Sequence, residues 1–136
     1  MTAVSKTNTV DVGARERVEL GDSPLFAQRA TLAYTDVAAK DLFTLPAGAI
    51  IIGFTINVTT AFNDSGADVI DIGDGTTADQ FVADFDVSSI GMTLEPSDDE
   101  SALSAATTLQ GVYTGANTDA SAGAATITVL YIEPSS

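Results

Sequence analysis

Hydrophobic residues alternate with polar or small residues in three segments of the chain, which is typical of strands that bury one face. The clearest segment is 49–60, and segments 81–87 and 124–133 repeat the pattern. Because side chains at every second position share a face, the alternation predicts which residues point inward. The predicted core consists of Ile50, Ile52, Phe54, Ile56, Val58, Phe81, Phe85, Ile127 and Val129.

Four weaker strand-like segments lie between these three, at 31–35, 41–45, 67–73 and 107–114. Turn-forming Gly, Pro, Asn and Asp residues separate the segments. The segment 101–106 is the one stretch compatible with a short helical turn. Seven closely spaced strands without a convincing helix predict an all-β fold, an antiparallel β-sandwich or jelly roll.

Residues 1–29 have little sustained alternation, and a Gly-Asp-Ser-Pro sequence at 21–24 interrupts them. A disordered terminus is one interpretation. The other is an extended segment that binds another subunit, because it has apolar and basic side chains but lacks the hydrophobic periodicity of a segment that folds on its own. We therefore predict an extended N-terminal arm at 1–29 and a β-sandwich domain at 30–136.

Charge is unevenly distributed along the chain. The net charge is −14, and all five basic residues lie within the first 40 positions, whereas residues 41–136 contain 14 acidic residues and no base. This balance makes nucleic acid and anionic membranes implausible partners, because phosphate binding needs Lys and Arg. A generic acidic protein and a chain with a docking end both fit the segregation. The docking hypothesis assigns partner binding to Arg15, Arg17, Val18, Leu20, Leu25, Phe26 and Arg29.

The segment 124–133 is apolar on both of its alternating faces. One face belongs to the predicted core, so Leu130 and Ile132 fall on the other face and need a cover of their own. A strand that is apolar on both faces is a central strand or is covered by a partner. We therefore predict a homo-oligomer, most simply a trimer, with Leu130 and Ile132 at the contact.

The residue inventory restricts the available chemistry. The chain contains no Cys and no His, which excludes thiol catalysis and His-based triads. Acidic residues cluster between Asp64 and Asp79, but they do not match the calcium-loop pattern, and solvated turn carboxylates explain them better than a calcium site does. We expect no catalytic residues, no metal and no cofactor.

From Thr31 onward the sequence resembles small virion proteins of tailed bacteriophages and prophages. The resemblance lies in ATLAYTDV, DLFTLPAGAIIIGFTINVTTAF, VIDIGDGTTADQFVADFDV and the final TITVLYIE. It implies a non-enzymatic structural protein, most simply a capsid decoration (cement) protein that binds the major capsid protein and stabilises the head lattice. Such a protein is made in the host cytoplasm and resides on the virion. The alternatives are a tail- or fibre-associated β-sandwich and a calcium- or carbohydrate-binding module.

Overall fold

A computed structural model describes residues 25–133 of the chain. These residues form an all-β fold of two antiparallel four-stranded sheets, which confirms the predicted β-sandwich. The strands are β1 (Leu25–Ala33), β2 (Lys40–Leu45), β3 (Ile50–Thr60), β4 (Asp68–Gly73), β5 (Val82–Asp86), β6 (Gly91–Pro96), β7 (Thr107–Gly115) and β8 (Ala124–Ile132). Within this part of the chain, no helix has the length and apolar character needed to cross a membrane.

The strand pairing is nested. The first sheet has the order β1-β8-β3-β6 and the second sheet has the order β2-β7-β4-β5. The first described strand therefore pairs with the last, the second with the seventh, the third with the sixth and the fourth with the fifth. This pairing places β8 in the interior of the first sheet, between β1 and β3, with Leu25 opposite Ile132.

The core lies between the two sheets. Of the residues predicted from alternation, six are buried there: Phe54, Ile56, Val58, Phe81, Ile127 and Val129. In the first sheet Phe54 lies opposite Val129 and Ile56 opposite Ile127. The second sheet contributes side chains such as Ile70, Ile72 and Leu109 to the same cluster.

The prediction for Ile50 and Ile52 is wrong. Ile51 is buried at 1% exposure, Ile52 is 43% exposed and Ile50 is half-buried. The cause is a β-bulge, since Ile51 lies opposite Tyr131 and Gly53 lies opposite Leu130, which leaves Ile52 as an extra residue. An extra residue changes the face on which all earlier side chains lie.

The region around β5 also differs from simple alternation. Phe81 and Val82 are both buried, while Phe85 is only half-buried on this edge strand. The ladder between β4 and β5 is irregular between Ile70 and Ile72, and Asp84 has a positive φ of 54°. This irregularity breaks the two-residue period that the sequence pattern assumes.

Two strand assignments need correction. β6 was not among the predicted strands, and its residues are exposed apart from the half-buried Glu95. β1 begins at Leu25, so residues 25–29 of the predicted arm form the first part of this strand. Residues 1–24 lie outside the described part of the chain. The segment 101–106 forms bends and irregular backbone, not a helical turn.

Replacing Phe54 by Ala should lower the free energy of unfolding by about 3–5 kcal/mol, because a fully buried aromatic side chain leaves a cavity. Ile52→Ala, two residues away at the bulge, should cost about 1 kcal/mol or less, because that side chain is already partly in water. Urea denaturation of both variants measures the difference. Equal losses would contradict the bulge assignment.

Candidate interaction surfaces

Among residues 25–133, the outer face of the first sheet has no carboxylate. Paired residues share a face, and the buried rows Phe54–Val129 and Ile56–Ile127 identify the intervening rows as outward-pointing. We call this surface the acid-free face, and its main members are Leu25, Ala27, Arg29, Thr31, Ile50, Ile52, Thr55, Asn57, Met92, Leu94, Thr126, Thr128, Leu130 and Ile132. Arg29 is the one charged residue among them.

Large apolar side chains occupy much of the acid-free face. Leu25 is 57% exposed, Met92 is 70% exposed and Leu94 is 64% exposed. Leu94 lies opposite Thr55, and Met92 lies opposite Asn57, so β6 extends the face beyond β3. Exposed apolar surface of this extent, combined with the absence of acidic side chains, is typical of a contact surface.

The oligomer-contact residues predicted from the sequence lie on this face. Leu130 and Ile132 are half-buried on the interior strand β8, and Ile132 lies between Leu25 of β1 and Ile50 of β3. Met92 and Leu94 were not identified from the sequence, because β6 was not predicted. The alternation of Met92, Thr93 and Leu94 was the available signal.

The residues assigned to the arm fall into two groups. Arg15, Arg17, Val18 and Leu20 lie outside the described residues. Leu25 and Arg29 point outward on the acid-free face. Phe26 points the other way and stacks on Tyr131, with a distance of 5.6 Å between ring centroids.

The outer face of the second sheet has the opposite character. Its outward-pointing positions include Asp41, Asp71, Asp84 and Asp86. Asp71 accepts a hydrogen bond from the backbone N–H of Asp84 at 2.7 Å, and burial raises the pKa of Asp71 above its ordinary value. The two outer faces of the sandwich therefore differ in charge.

A second feature is a cluster of hydrogen bonds at the end of the sandwich where the β3–β4 and β7–β8 loops meet. The carboxylate of Asp64 accepts hydrogen bonds from the backbone N–H of Gly66 at 2.7 Å and from those of Asn117 and Asp119 at 3.0 Å each. Burial acts to raise the pKa of Asp64, but these donors outweigh it, and the pKa is lower than usual. Asp64 therefore ties the two loops together through its ionised form.

The buried carboxylate of Asp68 is hydrogen-bonded to this cluster. Asp68 accepts hydrogen bonds from the backbone N–H of Asp64 at 3.0 Å and from the hydroxyl of Tyr113. Burial, followed by the hydrogen bond to Asp68, raises the pKa of Tyr113. The Tyr113 ring packs against Phe62 with 4.8 Å between centroids. Asp68 is thus a satisfied buried group that orients the loop.

The acidic residues at 64–79 do not converge on one point. Asp71 lies on the outer face of the second sheet. Asp74 accepts hydrogen bonds from the backbone N–H groups of Thr76 and Thr77 within the turn that follows β4, at 2.9 Å each. In residues 25–133 no group of three or more acidic side chains is arranged to hold a metal ion. A cavity of about 350 Å³ lies beside Asp64 and Tyr113, with Tyr34 and Val37 in its lining. These carboxylates therefore stabilise the loops, and the acid-free face is the stronger candidate for an interaction surface.

Asp64→Asn should destabilise the protein at about pH 7 and have much less effect at about pH 2.5. A carboxylate with a lowered folded pKa stabilises the fold above its unfolded pKa, near 3.8, and this contribution disappears as the pH falls through the folded pKa. Urea denaturation at both pH values tests this, with the exposed Asp98→Asn as the control. A deficit for Asp64→Asn that stays constant with pH would contradict the role of the ionised carboxylate.

Comparison with known proteins gives similarity at the level of structure only. No protein-family model and no curated protein sequence matches the chain. A chain of the cyanophage Pam1 capsid asymmetric unit matches 98% of this chain and 100% of its own length, with a TM-score of 0.64 and 18% identity. A chain of the acidic stable capsid of Helicobacter pylori bacteriophage KHP30 matches 82% of this chain and 89% of its own, with a TM-score of 0.63 and 20% identity. The fold of this chain is therefore one found in bacteriophage capsids.

Proposed function

We propose that this chain is a non-enzymatic structural protein of a bacteriophage virion, and specifically a capsid decoration (cement) protein. The observation that carries the proposal is the match to a chain of a phage capsid over nearly the whole length of both chains. A second phage capsid contains a chain of the same fold. A match over the full length means that the common fold accounts for nearly all of the chain, not only for one module within it.

The architecture supports the same proposal. Nested pairing of eight strands in two sheets fits the jelly-roll arrangement, which many viral capsid proteins use. The carboxylates that the fold brings together, Asp64 and Asp68, accept hydrogen bonds from backbone N–H groups and a tyrosine hydroxyl. These contacts give them a structural role in the loops.

The proposed docking mechanism assigns different tasks to the two ends of the sequence. The acidic body repels other acidic surfaces, whereas Arg15 and Arg17 lie just before β1 in the sequence. Arginine forms bidentate pairs with carboxylates, so these residues are suited to an acidic patch on the major capsid protein. In this proposal a homo-oligomer, most simply a trimer, sits on the capsid surface and attaches through several arms at once, which raises its avidity.

Changing Arg15 and Arg17 together to Ala should weaken binding to heads assembled without the protein. Two exposed ion pairs account for roughly a 2- to 30-fold loss, larger at low salt than at high salt because salt screens the attraction. Arg15→Lys with Arg17→Lys keeps the charge and should give an intermediate loss. Unchanged occupancy for the Ala variant would contradict the docking role.

A truncated chain that starts at Leu25 provides a complementary test, because it retains all of β1. We expect it to melt near the temperature of the full chain and to bind heads poorly. Image reconstruction of virions then locates the full-length protein. Density on the tail or fibres instead of the head would contradict the decoration role and favour the tail-associated alternative.

A further inference from the structure

We infer that the acid-free face is the surface through which copies of this chain bind one another. The partner is a second copy, and the contact includes Met92 and Leu94 of β6 together with Leu25, Leu130 and Ile132. The inference goes beyond the capsid role, because it concerns the free protein before it meets any particle.

The size of the face is adequate for such a contact. Four strands spaced about 4.8 Å apart, with a mean length of about 29 Å, cover roughly 550 Å² in projection. Side chains add to this area, and a standard interface buries about 800 Å² on each partner. The outer face of the first sheet can therefore supply most of one side of a stable interface.

Charge favours a second copy as the occupant. Each copy has a net charge of −14, and the outer face of the second sheet contains Asp41, Asp71, Asp84 and Asp86. Copies that met through that surface would bring carboxylates together. The acid-free face is the broad strand surface of residues 25–133 on which two copies can meet without such repulsion.

The chemistry of the face also suits a permanent contact. Permanent homo-oligomer interfaces are more apolar than reversible ones, and their centres are depleted of charge. Leu130 and Ile132 lie on an interior strand, whereas Arg29 lies on the edge strand β1. The interior strands β3 and β8 therefore contribute no charged side chain to the face, and Arg29 lies at its rim, where the guanidinium can stay in water.

Sedimentation equilibrium of the full chain with Leu94→Asp tests the inference in the absence of particles. The wild-type chain should associate, and Leu94→Asp should lower the association constant on the order of 100-fold, because a buried unpaired charge is costly. Val37→Asp is the matched control, since Val37 is 67% exposed and lies on a loop away from the face. A monomeric wild-type chain, or association that Leu94→Asp leaves unchanged, would overturn the inference.

Spin labelling gives a second, independent readout, because the chain has no native cysteine. A nitroxide on Thr128→Cys lies in the middle of the face, and one on Val37→Cys is the control. The label at position 128 should be immobilised, with short distances between copies, whereas the label at position 37 should stay mobile. Immobilisation at position 128 in a monomeric chain would identify residues 1–24 as the cover and overturn the inference.

A third outcome separates this inference from the proposed function. If the free chain is monomeric with a mobile label at position 128, and the label becomes immobilised only on heads, the face binds another virion protein. That result would overturn the contact between copies while leaving the decoration role intact. Conversely, association of the free chain without any binding to heads would support the contact and contradict the decoration role.

Discussion

The placement of negative charge is the constraint on which the rest of this molecule depends. Fourteen carboxylates follow residue 40 without a basic residue among them, so the fold must satisfy or expose each one. Asp64, Asp68 and Asp74 accept hydrogen bonds within loops, and others lie on the outer face of the second sheet. In the described part of the chain, the first sheet is thereby left with an outer face free of acids, and this asymmetry gives the sandwich two chemically different sides.

The sequence predicts the core well where strands are regular. Phe54 and Ile127 obey a two-residue period, and both are buried opposite their cross-strand neighbours. The period fails at Ile52, the extra residue of the bulge between β3 and β8, next to Gly53, where an added Cβ would lie 2.8 Å from the carbonyl oxygen of Glu95 in β6. That contact depends on a strand some forty positions further along the chain. β6 itself has no buried apolar face, and the short alternation of Met92, Thr93 and Leu94 was its one signal in the sequence.

The surfaces, too, could be predicted from the sequence only where they depend on local patterns. Leu130 and Ile132 could be identified from one segment, since the alternation within β8 is local. Their neighbours on the acid-free face follow only from the register of four strands. The loop cluster around Asp64 was beyond sequence reasoning, because two of its backbone donors, Asn117 and Asp119, lie more than fifty residues away. Local alternation indicates which face of its strand a residue occupies, whereas the long-range strand pairing determines which other residues share that face.

The nested pairing also constrains how the chain can fold during synthesis. β8 is made last among the described strands, yet it lies in the interior of the first sheet and separates β1 from β3. β1 and β3 therefore lack their shared neighbour until the residues up to Ile132 have left the ribosome. Folds dominated by such distant pairings form slowly, and their strand edges stay unpaired until the distant strand has been made. A nascent chain stopped before Ala124 would lack the middle of the sheet, not its edge.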